Sequence, residues 1–412
     1  MRLCVHRGTQ EIGGTCIEVE SQGKRIVLDV GLPLDAPDPA AVPLHPVRGF
    51  EGPDDSLLGV LLSHPHQDHY GLAKRLPEDA TFLIGKAAEA ILQAADLFTP
   101  SGLKLKNVIH LKDRSSVRLG PFTITPFLVD HSAYDSYACL IEADGKKIFY
   151  SGDFRTHGRK SKLLDRLIES PPKADLLLME GTTIERPDAK AYPTEDDLVG
   201  RFVELIKATS GLTLVWASGQ NIDRLVTLFK ACRKAKRTLV LDMYAAQVLK
   251  VIDNPNLPQA GWDGVKVFLP GSQRSQIKKK REFELADNFK PYRIYPENIA
   301  AGSEGLVMLF RPSMIRDLER MEGLIVGRVI CSVWQGYLTE ERNQTLLNWT
   351  RSKAIPIDHC HTSGHADMQA LTALRNAFKG TPVIPVHTAA PDLFESKFGN
   401  VRRVKDGVWI EV

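Results

Sequence analysis

Short apolar runs alternate with turn residues along the first part of the chain. Runs of this length, rich in β-branched and aromatic side chains, predict strands. The predicted strands are residues 15–20, 25–29, 60–62, 122–129, 137–142 and 147–151. A stretch with helical spacing, residues 87–98, interrupts them. Strands followed by packing helices indicate a layered α/β arrangement.

From about residue 194 the pattern changes to a longer alternation of helices and buried strands. The predicted elements are helices 195–208 and 222–236 and strands 212–216, 238–242, 306–310 and 329–334. Such alternation is typical of a parallel sheet with crossover helices. After residue 354 we expect a further strand, the helix 367–378 and the strands 382–386 and 408–412.

The change in pattern predicts one domain inserted into another. The first domain would consist of residues 1–190 and 351–412, and the inserted domain of residues 191–350. A chain of 412 residues also exceeds one ordinary hydrophobic core, which independently favours two domains.

Composition excludes several classes of protein. Apolar residues make up 43% and charged residues 25% of the chain, as in soluble globular proteins. No apolar run approaches the ~18 residues that span a bilayer, and residues 1–7 lack the apolar core of a secretory signal. The six cysteines are scattered without CxxC spacing. We therefore expect no membrane partner and a cytoplasmic location.

The formal net charge of +3 does not by itself indicate nucleic-acid binding. Basic residues do cluster at 233–237, 278–281 and 402–403. Any one of these clusters is most simply interpreted as a solvated helix or loop surface.

The most informative stretch is residues 63–71, which directly follow a short apolar run. It contains His64, His66, Asp68 and His69, although the chain has only 12 histidines. Neutral imidazole and carboxylate oxygen are ligands that zinc accepts, and core packing does not require them. The stretch predicts half of a metal site at the end of a buried strand.

Other ligand-type side chains also lie where apolar strands end. They are Asp29, His131, Asp153 and His387. If these strand ends meet at one edge, the set fits two metal ions that share a carboxylate. Asp29 also fits an alternative role as a turn residue or a helix cap.

The ordered motif set resembles the metallo-β-lactamase fold. HxHxDH at residues 64–69 is followed by a lone His after a strand and then by Asp153 at a strand end. Residues 9–14, Glu180, 363–365 and 385–387 resemble the β-CASP nuclease branch, which includes ribonuclease J and the cleavage factors of mRNA 3′-end processing. The resemblance implies an αββα sandwich with an inserted parallel-sheet β-CASP domain. Because only residues 388–412 follow His387, no additional C-terminal domain of the ribonuclease J type is expected here.

The resemblance also implies a ligand set. His64, His66 and His131 would hold one Zn²⁺, and Asp68, His69 and His387 the other; Asp153 would bridge them and Asp29 would support the site from outside. Mn²⁺ is an expected substitute. Two such ions acidify a water and neutralise a phosphodiester, which otherwise repels hydroxide.

Glu180 ends the predicted strand 174–179, and the resemblance pairs it with His365. A neighbouring carboxylate keeps an imidazole protonated near neutral pH. Such an imidazolium can protonate the departing 3′ oxygen of a nucleotide. We therefore expect Asp68, Glu180 and His365 to take part in catalysis.

Several residues are candidates for binding the substrate phosphates. Ser363 and Gly364 precede a helix, and His361 lies beside them. In the inserted domain, Ser218, Asn221 and Arg224 open a helix directly after a strand. A capped helix with a salt-bridged arginine explains this second group equally well. Residues 359–361 also admit an interpretation as a separate zinc clip, although adjacent side chains on a strand point to opposite faces.

Trp334 and Tyr337 could stack nucleobases, but ordinary core packing is the simpler interpretation of each. In the family that the chain resembles, a His at the last motif is typical of RNA-processing members. The sequence thus predicts a two-zinc hydrolase that cleaves single-stranded RNA by attack of metal-activated hydroxide, leaving 5′-phosphate and 3′-hydroxyl ends. A DNA nuclease and a small-molecule ester, lactam or thioester hydrolase stay open as alternatives, as do exonuclease or endonuclease mode and a homodimeric assembly.

Overall fold

The computed structural model describes residues 1–34, 36–186 and 193–412. The predicted domain boundary at 190/191 lies outside these residues. By its internal contacts the chain divides into two units. The first comprises residues 1–93, 103–192 and 364–412, and the second residues 94–102 and 193–363. Among the described residues, no helix is both long and apolar enough to cross a membrane.

Two sheets form the first unit. The first sheet has seven strands, in the spatial order Trp409–Glu411, Arg2–Arg7, Cys16–Ser21, Lys24–Leu28, Leu57–Leu61, Thr81–Gly85 and Asn107–Leu111. The second has six, in the order Val383–Val386, Leu176–Glu180, Lys146–Tyr150, Ser136–Ala143, Phe122–Val129 and Val117–Leu119. Each sheet is mixed. In the first, the four strands from Lys24–Leu28 to Asn107–Leu111 are parallel and the other pairs are antiparallel. In the second, the three strands from Val383–Val386 to Lys146–Tyr150 are parallel and the other pairs are antiparallel.

A continuous apolar core joins the inner faces of these sheets, with Leu28 and Leu61 of one in the same cluster as Ile148 and Leu178 of the other. The helices cover the outer faces. They are Gln67–Tyr70, Lys162–Glu169, Met368–Ala377, Pro391–Phe398 and the first part, residues 86–93, of the helix Lys86–Phe98. Central strands such as Leu176–Glu180 are buried along their whole length, as expected where one face packs on the other sheet and the opposite face is covered by helices.

The second unit is built on one sheet whose strands are all parallel. Their spatial order is Val265–Phe268, Thr238–Asp242, Leu306–Phe310, Leu212–Trp216, Val326–Cys331 and Ile357–His359. Its helices are Glu195–Lys207, Ile222–Ala235, Met243–Val251, Gly271–Lys280, Phe283–Asn288, Pro296–Ala301, Ile315–Glu319 and Gln344–Ser352. The parallel sheet with crossover helices agrees with the predicted β-α alternation. The predicted return to the first domain at residue 351 precedes the strand Ile357–His359, which pairs within the second unit.

A buried ion pair fixes the start of the second unit. The Arg224 guanidinium donates to both carboxylate oxygens of Glu195, at 3.3 and 3.0 Å, and to the Ser332 carbonyl at 3.1 Å. The side chains of Arg224 and Glu195 are 0% and 1% exposed. Thr227 adds a hydroxyl donor to the same carboxylate at 2.6 Å. Arg224 therefore joins two helices to the end of a strand.

Arg224→Leu should destabilise the chain by about 3–5 kcal/mol, because it leaves the Glu195 carboxylate buried without its cation. The measurement is urea unfolding followed by circular dichroism. Arg201→Ala is the control, since that arginine pairs with Glu204 at an exposed site and should change stability by less than about 1 kcal/mol. Equal effects of the two substitutions would contradict the structural role of Arg224.

Candidate metal centre

The loop and short helix after the strand Leu57–Leu61 carry the HxHxDH motif. His64 lies in the loop, and Asp68 and His69 lie in the helix Gln67–Tyr70. Close backbone packing sets the position of this helix, because a Cβ at Gly31 would lie only 1.8 Å from the Asp68 carbonyl oxygen. Because Gly31 has no side chain, the loop after the strand Lys24–Leu28 can pack directly against the helix that carries Asp68.

One group of three imidazoles forms the first candidate metal set. The ligand atoms of His64, His66 and His131 all lie within 4.8 Å of one another, and His66 Nδ1 is 3.1 Å from His131 Nε2. Burial lowers the pKa of each of the three, that of His66 to about 4. The rings are therefore neutral near pH 7, so their lone pairs are available to a cation.

A second group combines carboxylates and imidazoles. The ligand atoms of Asp68, His69, Asp153 and His387 also lie within 4.8 Å of one another. His387 Nε2 is 3.1 Å from Asp68 Oδ2, and His69 Nε2 is 3.2 Å from Asp153 Oδ2. Burial opposes ionisation of Asp68 and Asp153, but the histidines around each hold its pKa well below the usual range. Both carboxylates are thus anionic.

Asp153 lies at the junction of the two groups. Its Oδ2 is 3.6 Å from His64 Nε2 in the first group and 3.2 Å from His69 Nε2 in the second. Its side chain is 1% exposed, and neither of its carboxylate oxygens accepts a hydrogen bond. Nε2 of His64 and Nε2 of His69 are likewise buried without a hydrogen bond. Buried anions and lone pairs in this state fit divalent cations.

Asp29 supports the site through hydrogen bonds. Its carboxylate accepts from His69 Nδ1 at 2.8 Å, from the Ser63 amide and hydroxyl at 2.7 and 2.8 Å, and from the Tyr150 hydroxyl at 2.6 Å. When His69 donates through Nδ1, Nε2 is the ring nitrogen that faces Asp153, 3.2 Å away. Burial alone would lower the pKa of this imidazole, but without a cation the carboxylates of Asp153, Asp29 and Asp68 raise it well above its usual value, so a metal ion at Nε2 would take the place of a proton. These contacts allow Asp29 to orient His69, and the supporting role that the resemblance implied stays a prediction.

Three orienting residues were not identified from the sequence. Ser63 Oγ is 3.0 Å from His64 Nδ1, so it can accept that proton while donating to Asp29. Tyr150 is the third donor to Asp29. The Thr182 hydroxyl accepts from His387 Nδ1 at 2.8 Å and so fixes the orientation of that ring. These roles become visible only in the structure, where the ends of separate strands come together. In the sequence, the one indication is that each of these residues lies close to a predicted ligand.

Glu180 and His365 lie together beside Asp153. His365 Nδ1 is 3.2 Å from Glu180 Oε2 and 3.5 Å from Asp153 Oδ2. Glu180 is 1% exposed, and its Oε1 accepts from the Phe154 amide at 2.9 Å. Burial would lower the pKa of His365, but the charges of Glu180 and Asp153 outweigh it and raise this pKa to about 9. The pair therefore offers a protonated imidazole at the edge of the metal groups.

The predicted phosphate-binding residues fall into both units. Gly364 belongs to the first unit, where a Cβ would lie 2.5 Å from Ser132 Oγ and 3.4 Å from the His131 ring. Ser363 and His361 belong to the second unit. Among the described residues, no metal-ligating group includes His359, Cys360 or His361, so the structure gives no support to a separate zinc clip.

In the second unit, Ser218 is exposed, and the Asn221 side chain caps the helix Ile222–Ala235 by accepting from the Arg224 amide at 3.1 Å. The predicted phosphate contact of Arg224 needs correction, because its guanidinium is buried against Glu195. The capped helix with a salt-bridged arginine is the interpretation that fits. Trp334 and Tyr337 need the opposite correction: they are 52% and 37% exposed and are not core residues.

Comparison with known proteins gives this geometry a family context. The model of the beta-lactamase superfamily domain matches residues 24–210. Ribonuclease J of Helicobacter pylori is 24% identical over 404 residues, which cover 92% of this chain and 55% of that protein. Cleavage and polyadenylation specificity factor 73 of Drosophila melanogaster is 25% identical over 271 residues, or 60% of this chain and 36% of that protein. The chain thus spans about half the length of the ribonuclease J proteins it matches.

A crystal structure of a protein of unknown function from Enterococcus faecalis has the same fold. It covers 99% of both chains with a TM-score of 0.78 at 21% sequence identity. The predicted α/β class and metallo-β-lactamase fold are therefore confirmed. The chain carries a beta-lactamase superfamily domain, and its homologues, ribonuclease J and the cleavage factor, are consistent with the β-CASP branch of the metallo-β-lactamase fold.

Proposed function

We propose that the chain is a two-metal phosphodiesterase that cleaves single-stranded RNA and leaves 5′-phosphate and 3′-hydroxyl ends. The observation that carries this proposal is the position of Asp153, which adjoins both ligand groups and the Glu180–His365 pair. A site with two metal sets and an adjacent acid fits phosphodiester hydrolysis, because that reaction needs charge neutralisation and a proton for the leaving oxygen.

We assign one ion to His64, His66 and His131 and the other to Asp68, His69 and His387, with Asp153 between them. Imidazole and carboxylate ligands favour Zn²⁺, and Mn²⁺ would suit the same donors. Two such ions supply an acidified water and neutralise the charge of the phosphate when bound. Asp29, Ser63 and Thr182 hold the imidazoles in the tautomers that this assignment requires.

We assign His365 as the general acid. Its Nδ1 faces Glu180 and Asp153, so the proton that it would transfer to a departing 3′ oxygen lies on Nε2. Glu180 acts through His365: it keeps the ring oriented and its charge favours the imidazolium.

RNA is the favoured substrate because the relatives that cover most of this chain carry the name ribonuclease J. The same chemistry would cleave DNA, so a direct comparison of RNA and DNA oligomers separates the two substrates. All six cysteines are buried thiols outside any disulfide, which fits a reducing, cytoplasmic setting for such an enzyme.

The purified chain with Zn²⁺ or Mn²⁺ should degrade 5′-monophosphorylated single-stranded RNA, and Asp68→Ala should abolish the reaction because it removes a ligand of the second set. RNA and DNA oligomers labelled at the 5′ or 3′ end are incubated side by side and resolved on denaturing gels. Intact RNA together with turnover of a chromogenic lactam or ester would overturn the nuclease proposal, and cleavage of DNA alone would move it to the DNA branch.

Metal content should be two ions per chain and should fall to about one in His66→Ala, because that variant loses one donor from the first set only. The measurement is elemental analysis after dialysis against limiting Zn²⁺, with thermal unfolding as a second readout, since a ligand at 100 times its Kd stabilises the folded state by about 2.7 kcal/mol. His110→Ala is the matched control, because His110 is exposed and pairs with Glu89. Two ions retained in His66→Ala would refute the assignment.

His365→Ala should lower kcat on RNA by about 10²–10⁴-fold, the usual contribution of a general acid. On bis(4-nitrophenyl) phosphate the same substitution should cost less than about tenfold, since 4-nitrophenolate departs without a proton. Glu180→Gln should show the same dependence on the leaving group with a smaller loss. Equal losses on both substrates would show that His365 serves binding or metal retention rather than proton transfer.

A further inference from the structure

An exposed basic and aromatic segment follows the strand Val265–Phe268 in the second unit. It spans residues 278–295 and includes the end of the helix Gly271–Lys280 and the whole helix Phe283–Asn288. We call it the basic aromatic segment. Only Phe289 within it is buried, and Lys250 lies over that ring with its ammonium 5.5 Å from the centroid. The helix Phe283–Asn288 buries no residue at all.

The segment concentrates positive charge. It contains six Lys and Arg against three Asp and Glu, so its formal charge of +3 equals that of the whole chain. Lys280 pairs with Asp96 at 3.3 Å. Within the part of the chain that the structure describes, none of Lys278, Lys279 and Lys290 has an acidic partner within 4.0 Å. Unpaired cations on one short segment are available to an anionic polymer.

Aromatic rings interleave with these charges. Phe283, Tyr292 and Tyr295 are 55%, 37% and 40% exposed. The Arg293 guanidinium lies 4.9 Å from the centre of the Tyr295 ring. Rings this exposed are not part of the apolar core, although each carries a large flat surface that water solvates poorly.

The backbone holds the segment in place although its side chains are exposed. The Glu282 amide donates to the Ile277 carbonyl at 3.0 Å and the Ile294 amide to the Val267 carbonyl at 3.0 Å. Ile277 and Phe289 are each 3% exposed and anchor it at two points. The charges and rings therefore sit on a fixed support, not on an extended tail.

We infer that the basic aromatic segment binds single-stranded RNA through its phosphates and bases, as a surface additional to the metal centre. Lysines that contact phosphates and aromatic rings that stack on bases are the combination by which proteins hold single strands without sequence preference. The inference rests on the proposed RNA substrate. It adds a second contact surface, within a unit that contains none of the candidate metal ligands.

Charge complementarity favours RNA over a protein as the occupant. An acidic protein could pair with the lysines, but a stable protein interface would also need a continuous apolar patch on this surface. Here Glu282, Glu284 and Asp287 lie between the exposed rings and interrupt any such patch. A single strand contacts isolated rings one base at a time. A second copy of this chain would bring further positive charge, since its net charge is also +3.

Binding of a labelled 30-nucleotide oligo(U) to the full chain in EDTA tests the electrostatic part, with fluorescence anisotropy as the readout. The combined substitution of Lys278, Lys279 and Lys290 by Ala should weaken binding at least about tenfold at 0.1 M salt. It should also reduce the slope of log K against log salt by about 2, since each phosphate contact with a single strand contributes about 0.7. The matched control replaces Lys207, Lys234 and Lys353, three exposed lysines of the same unit, and should change affinity less than about twofold.

The aromatic part has its own conservative control. Tyr292→Leu with Tyr295→Leu should weaken binding at least about thirtyfold without changing the salt slope, because two stacking contacts are lost while every phosphate contact is kept. Tyr292→Phe with Tyr295→Phe keeps both rings and should bind like the parent chain.

Equal losses in the two lysine triples would reduce the effect to overall charge and overturn the inference. If the variant that lacks Lys278, Lys279 and Lys290 binds RNA as tightly as the parent chain, the inference is also overturned. This holds even if the variant no longer binds a protein that co-purifies with the parent chain, because that protein would then be the occupant of the segment. If the parent chain neither binds nor cleaves RNA, the proposed function fails and this inference with it. If the parent chain cleaves RNA and the first triple binds it normally, only this inference fails.

Discussion

The candidate metal centre depends on the compensation of one buried negative charge, the carboxylate of Asp153. Asp153 is 1% exposed, and neither of its oxygens accepts a hydrogen bond. An ionised carboxylate in that position is strongly unfavourable unless positive charge compensates it. His64 and His131 are held neutral by burial, so they offer lone pairs rather than charge. Divalent cations held by these side chains would satisfy the anion and the lone pairs at once.

The loops at the strand ends that carry candidate ligands adopt unusual backbone conformations. Asp29, Gly152 and His387 follow strands in left-handed conformations, with φ of 60°, 52° and 50°. Left-handed backbone is uncommon for residues other than glycine, although Asp and His adopt it more readily than most, and side-chain hydrogen bonds hold Asp29 and His387 in it here. Asp29 accepts from Ser63, His69 and Tyr150, and His387 donates to Thr182. The unusual backbone conformations therefore occur at or beside residues whose side chains point toward the candidate metal centre.

The sequence predicted the elements well wherever hydrophobic periodicity and a strand end coincided. The strands Phe122–Val129, Leu212–Trp216, Thr238–Asp242 and Leu306–Phe310 have the predicted bounds. The ligand-type residues were recognisable because imidazoles and carboxylates at strand ends have no packing role, and the structure brings them together. The assignment of particular ligands to particular ions stays a prediction.

Contacts between segments that are distant along the chain could not be predicted from the sequence. Arg224 has the same local pattern as a phosphate-binding arginine, and only the tertiary structure shows Glu195 beside it. The sequence predicts Tyr150 only as a residue of a strand, whereas in the structure its hydroxyl donates a hydrogen bond to Asp29 at 2.6 Å. A tryptophan directly after a buried strand is expected in the core, yet Trp334 is 52% exposed, where the chain leaves its strand and enters the short helix Gln335–Thr339. Burial of a single side chain depends on which elements cover it, and a local pattern does not contain that information.

The most direct test of the account is anomalous diffraction from crystals of the full chain grown with Zn²⁺ and measured at the zinc edge. The account predicts two peaks about 3.5–4 Å apart, the spacing of ions that share a ligand, with the Asp153 carboxylate between them. A single peak, or peaks that leave Asp153 without a metal contact, would contradict it.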